Sequence, residues 1–282
     1  MDVLGSRIII AAFDGWNDAG EAASGAVAVL RAMTDYELVH SIDPELYFDY
    51  QYTRPATKLD GDGRRRLTWP AAGLWRPRVT GNGPEFWLLT GVEPARTWQA
   101  FAAEFIDIAL RDDVTGLVTL GAMLSDVPHT RPISIFASSQ NDEVREAYGL
   151  ERSLYEGPVG ILSVFEHFAE NAGIPTATLW ASVPHYVASA TPSPKVSLAL
   201  LDRLEELTGL DAPRDALRTE AAAWEASIDA AAADDEDMAE YIRQLERTRD
   251  TWDSPEASGD AIAQAFERYL RRRGDGPGDL KR

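Results

Sequence analysis

Two of the four histidines, His129 and His185, each follow a proline at the end of an apolar run. Imidazole moves protons readily near neutral pH, so the residues in comparable positions decide what chemistry is open. The run at 7–13 leads into DGWNDAG, with Asp14, Trp16, Asn17 and Asp18, and the run at 86–90 leads into GVEP, with Glu93. The run at 116–120 leads into GAMLSDVPHTRP, with Ser125, Asp126, His129, Thr130 and Arg131, and the last, at 176–183, into PHY, with His185 and Tyr186. Such a set offers an imidazole as acid or base, Asp14 to orient it, and further groups to bind a polar, nucleoside-like ligand. In an open parallel sheet the ligand crevice lies beyond the carboxyl ends of the strands. The candidate ligand-binding residues are therefore Asp14, Trp16, Asn17, Asp18, Glu93, Asp126, His129 and His185, with no catalytic residue assigned.

Each candidate also has a structural use. Asp18 with Glu21 three residues on has capping-box spacing for a first helix. Glu93 before Pro94 has the form of a helix start, an acid complementing the dipole with proline at the first helical position. Either histidine can satisfy its ring with a backbone hydrogen bond, and the aromatics Tyr47, Phe48, Tyr50 and Tyr52 alternate in part like a strand.

The familiar enzyme templates do not fit. No cysteine is present, which excludes a thiol nucleophile, a thiolate metal site and a disulfide framework. The turn at Gly121 continues with Ala122 and Met123 in place of a GxSxG nucleophile. No GxxxxGK[ST] loop occurs, and DGWNDAG lacks GxGxxG spacing. Asp14, His129 and His185 could be imagined around zinc, but no HExxH or paired-histidine spacing supports it. The expectation is no metal and no cofactor.

The elements that must position these loops follow from patterning. The apolar runs at 7–13, 86–90, 116–120, 133–137 and 176–183 read as buried strands. Helix-period segments fall at 19–33, 95–111, 159–172 and 194–208. Their alternation predicts an α/β protein, a three-layer α/β/α sandwich with a mostly parallel sheet. Residues 36–79 break the pattern, with extended segments ELVHSI, ELYFDYQY and RRRLTWPAAGLWRPRV around a polar turn at 59–63, and read as an antiparallel excursion. After Gly209 the composition turns to Ala, Asp, Glu and Arg, giving helices over 213–232, 235–249 and 255–273. The last of these starts at Ser254–Pro255, stops at Gly274 and carries one apolar stripe of Ile262, Phe266, Tyr269 and Leu270. The expected organisation is an α/β domain over 1–209, a helical C-terminal region over 210–274 and a disordered tail over 275–282.

The chain has 282 residues, with 27 Lys and Arg against 46 Asp and Glu, a formal net charge of −19. Such a surface repels phosphate backbones, and the cluster Arg64 to Arg66 is too small to reverse that, so no nucleic-acid partner is expected. The apolar runs are too short to span a bilayer and no secretory leader opens the sequence, so no membrane is expected and the location expected is cytoplasmic.

The phrases AAFDGWNDAGEAASGAV, LYFDYQYTRP, LLTGVEPARTW, LGAMLSDVPHTRP, YEGPVGIL, TLWASVPHYV and TPSPKVSLALL, in that order over about residues 7–205, resemble the proteasome assembly chaperone 2 family in its actinobacterial branch. The resemblance implies a sandwich related in shape to the purine nucleoside phosphorylases, a helical C-terminal extension and a homo-oligomer, with a trimer as the leading form. It implies a non-enzymatic interaction or assembly-chaperone-like role with a protein partner, proteasome subunits among the candidates. Eukaryotic members dock a hydrophobic-Tyr-X tail between proteasome α subunits. Here Lys281 stands in the tyrosine's place, so a partner would be engaged by a surface, such as the acidic helices around 234–237 or the stripe of the last helix. The alternative is a small-molecule enzyme or sensor using the strand-end residues above.

Overall fold

Strand β1 (Arg7–Asp14) is buried along nearly its whole length, the pattern of a central strand covered on both faces. Ile8, Ile10 and Ala12 enter one core, and Ile9, Ala11 and Phe13 enter the other, as period-two side-chain alternation requires. The computed structural model describes residues 3–79, 81 and 83–252. The anticipated helix at 255–273, with its stripe, and the tail at 275–282 lie outside the described residues.

Around β1 the main sheet has seven strands in the order β2 (Tyr36–Ser41), β5 (Ala72–Pro77), β6 (Glu85–Val92), β1, β7 (Gly116–Ser125), β9 (Thr176–Pro184) and β8 (Ile135–Ser138). The four central strands β6, β1, β7 and β9 run parallel. Antiparallel partners close both edges: β5 and β2 beyond β6, and β8 beyond β9.

One face is covered by α1 (Ala22–Met33), α6 (Pro194–Thr208) and α7 (Asp215–Ala233), whose Ala26, Leu30, Leu200, Leu204 and Trp224 share a cluster with the even-numbered residues of β1. The other is covered by α2 (Pro44–Tyr47), α3 (Trp98–Arg111) and α5 (Ile161–Asn171). There Phe13 stacks on Phe165 with ring centroids 5.5 Å apart, and Phe101 meets both rings edge-on. The short α4 (Asp142–Tyr148) precedes α5, and α8 (Glu236–Trp252) packs back on α7. The predicted α/β/α sandwich is therefore the fold observed.

Several local expectations change. The segment 36–79 is only partly an excursion, because β2 and β5 extend the main sheet. Only β3 (Ala56–Leu59) and β4 (Arg65–Thr68) leave it, as a separate two-stranded hairpin. ELYFDYQY is not extended throughout: Asp43 accepts a hydrogen bond from the Glu45 N–H and, with Pro44 in the first helical position, starts α2. The helix expected from residue 19 opens as a 3₁₀ turn, Ala19–Glu21, and only then becomes α1. Asp18 thus caps at a longer range than a capping box, its Oδ1 accepting from the N–H groups of Ala23 (2.7 Å) and Ser24 (3.2 Å).

Candidate ligand-binding site

The eight candidate residues separate into distinct settings. At the end of β1, Asn17 and Glu93 form one unit. Glu93 Oε1 accepts from Asn17 Nδ2 and from the Ile161 backbone N–H, both at 2.9 Å, while Oε2 accepts from the Trp16 N–H at 3.3 Å. Glu93 therefore complements the start of α5, not the start of α3 as its place beside Pro94 suggests. Gly160 is what lets the pieces close, because a Cβ there would lie 2.2 to 2.6 Å from the Asn17 side-chain amide. Glu93→Ala would leave the Asn17 amide and the first α5 N–H without their acceptor. A loss of about 2 kcal/mol in unfolding free energy is expected, read from urea denaturation; an unchanged midpoint would refute this role.

The two histidines face the C-terminal helices. His129 is fully buried. Its Nδ1 lies 2.8 Å from the Tyr186 hydroxyl and its Nε2 lies 3.1 Å from Asp229 of α7. Its carbonyl accepts from Lys195, which also pairs with Glu225 of α7 at 2.6 Å. His129 thus joins the β7–β8 connection to α7 and presents no ring nitrogen to an open cleft. Asp126 and His185 pair at 3.2 Å on the surface, where the His185 ring packs against Tyr186 and against Tyr241 of α8. Asp14 is placed apart, lining a depression with Glu21, Ser24 and Arg31. Burial, then the neighbouring Asp18, pushes its carboxyl up. Among the described residues no group of three or more His, Asp or Glu is arranged to hold a metal ion.

Of the eight, Trp16 alone lines a cavity of about 680 Å³ between the α5 face of β7, β9 and β8 and the loop leading into α5. Its other walls include Met123, Phe136, Tyr155 and Trp180, with Ser138, Ser163, Glu166 and Thr178 as polar members. Thr119 and Thr178 stand opposite one another in the β7–β9 register. At Gly121 a Cβ would come within 2.8 to 2.9 Å of the Trp180 ring, so glycine there admits the indole.

Glu166 descends from α5 to this floor, where the Thr119 hydroxyl donates to its Oε1 at 2.8 Å and lies 3.0 Å from the Thr178 hydroxyl. Burial pushes the Glu166 carboxyl above its ordinary 4.5, opposed by the two threonine hydroxyls and reinforced by nearby Glu170. Periodicity missed Glu166, because one acid in an amphipathic helix reads as solvated. The matching threonines of VTLG and TATLW were the available signal.

The pH consequence has a definite sign. The folded chain holds the Glu166 proton to higher pH than the unfolded chain, so stability falls as pH rises from about 4.5 through the folded value. Glu166→Gln, which removes the cost of burying a charge, should be at least as stable as the parent at about pH 8, with its advantage shrinking toward about pH 4. A glutamine variant that melts several degrees lower at the higher pH would contradict this.

Fold and site together define a three-layer α/β protein that holds an aromatic-walled cavity with an acidic floor between its sheet and α5. Within that class its family is given by sequence. The PAC2 family pattern matches residues 12–232, and the chain belongs to the PAC2 family. It is similar over 84% of its length to a PAC2 family protein from Streptomyces avermitilis, at 42% identity, covering 99% of that chain with a TM-score of 0.76. A Mycobacterium tuberculosis proteasome-assembly chaperone homologue is 41% identical over 83% of this chain and 99% of that one, with a TM-score of 0.74. An archaeal proteasome activator from Pyrococcus furiosus shares the fold alone, at 13% identity over 80% of this chain and 93% of that one, with a TM-score of 0.64. No curated protein matches the sequence.

Proposed function

We propose that this chain is a non-enzymatic, oligomeric interaction protein with an assembly-chaperone-like role, and that proteasome subunits are its partners. Its α/β unit over 1–209 is joined after Gly209 by a helical region that shares its core through α7, it works in the cytoplasm, and its leading assembly is a homotrimer. Family membership and the Mycobacterium homologue support this reading, and the observation that carries it is the β3–β4 hairpin. These strands pair only with each other, and all eight of their residues are exposed. Leu59 and Leu67 remain 69% and 59% accessible, while Tyr50 against Trp69, with centroids 4.9 Å apart, packs beside the hairpin. The hairpin also carries Lys58, Arg64, Arg65 and Arg66 in a chain of net charge −19. An exposed strand pair with apolar and cationic side chains suits a protein contact better than a monomer's free surface, since uncovered strand edges and apolar residues favour association.

Native mass spectrometry of the chain, alone and mixed with recombinant proteasome α and β subunits of an actinobacterium, tests the proposal. The chain alone should run at three times its 31.0 kDa mass. With the subunits it should form a complex containing α subunit and change the rate at which complete particles appear. Replacing residues 57–67 with a short Gly-Ser turn should abolish that complex while leaving the thermal melt of the sandwich unchanged. No α-subunit complex and an unaltered assembly rate would refute the proteasome role, and a bare monomer would refute the oligomer.

A further inference from the structure

The Glu166 carboxyl is more than packing requires. It lies on the floor of the 680 Å³ cavity, held by Thr119 and near Thr178. Among the described residues, the one other charged side chain acting on it is an acid, Glu170. Among the described residues no Lys, Arg or His pairs with it. The walls above it are aromatic and aliphatic, with Trp16, Phe136, Tyr155 and Trp180 the large members. Cavities of roughly 300 to 1,000 Å³ with apolar walls and a few convergent polar groups are of the size and make-up that enclose small organic ligands.

The chemistry of the lining selects among ligand classes. An anion meets Glu166, with Glu170 close behind it, and a chain carrying −19 overall, so it is repelled. A purely apolar molecule would leave the carboxyl desolvated and without a charged partner. A quaternary ammonium brings charge but no N–H to donate to the carboxylate. A primary ammonium supplies both, and a flat ring attached to it can lie among the aromatic walls.

We propose that this cavity binds a small primary amine borne on a flat aromatic body, with the ammonium donating to Glu166 and the ring held among Trp16, Phe136, Tyr155 and Trp180. The site uses no residue of the β3–β4 hairpin, so it stands or falls separately from the chaperone reading. It also differs from the strand-end set anticipated from sequence, sharing with it only Trp16. Because the amine needs an ionised carboxylate, its binding weakens as pH falls into the range where Glu166 takes up a proton.

Isothermal titration of the full chain with three probes of one shape decides the matter: tryptamine, the uncharged 3-ethylindole, and the anionic indole-3-propionate. Tryptamine should bind at least tenfold more tightly than 3-ethylindole, and indole-3-propionate should give no heat. Glu166→Gln should bring tryptamine down to the level of 3-ethylindole while leaving 3-ethylindole unchanged. Ser153→Trp, a substitution at the cavity wall, should remove both. Equal affinity for the charged and uncharged probes, or tryptamine binding that survives Glu166→Gln, would overturn the proposal, as would the absence of binding by all three. Should the glutamine variant not fold, retention of tryptamine binding by Ser153→Trp would overturn it instead.

Discussion

A chain ended at Gly209 is expected to lose its cooperative fold. The face of α6 that carries Val196, Leu200, Leu204 and Leu207 is buried in the same cluster as Leu217, Trp224 and Ile228 of α7. Burying each such side chain contributes about 1.5 to 3 kcal/mol, so losing three from α7 costs roughly 5 to 9 kcal/mol, against a whole-domain stability of about 5 to 15 kcal/mol. Polar losses act in the same direction. The Trp224 indole N–H donates to the Ala190 carbonyl at 3.1 Å, and His129, Lys195 and Arg131 take Asp229, Glu225, Glu246 and Asp250 from α7 and α8 as partners. Truncation strands a buried imidazole and two cations, at a further cost of about 1 to 3 kcal/mol for the buried group alone. Size-exclusion chromatography and a circular-dichroism melt should show aggregated protein without a sharp transition. A truncated chain that melts cooperatively within a few degrees of the full chain would show that α7 and α8 only decorate a self-sufficient sandwich.

Phe165→Ala is expected to destabilise the protein by about 3 to 5 kcal/mol. Phe165 is fully buried and stands where three elements meet, stacked on Phe13 of β1 and edge-on to Phe101 of α3. Phe105 lies 6.1 Å from the same ring. Few of these neighbours can collapse into the space, because Phe13 is fixed in the sheet by its pairing with Gly91 of β6. The residual cavity therefore adds to the lost transfer energy. For a domain of this size the melting temperature should fall by roughly 10 °C. A fall of a degree or two would mean that α5 repacks freely, which would also undermine the fixed geometry of Glu166 one residue along.

The local pattern of the sequence determined the sandwich. Helix α6 runs over the segment read from sequence because both of its ends are written locally, in Ser193–Pro194 at the start and in Gly209 at left-handed φ 71° after the last turn. The central strands were legible for a similar reason, since a strand covered on both faces must be apolar throughout. The motifs around Asp14, Glu93, His129 and His185 were equally legible as a family resemblance, and the PAC2 match bears that out. Tertiary structure alone decided which of these residues meet. Glu93 serves α5, 68 positions away, instead of the helix beside it, and His129 is taken up by Asp229, 100 positions on. The acidic floor of the cavity joins Glu166 to Thr119 across 47 positions. Periodicity reports which face of an element is buried. The partner found on that face depends on strand order and helix placement, which are set by the packing of the whole chain.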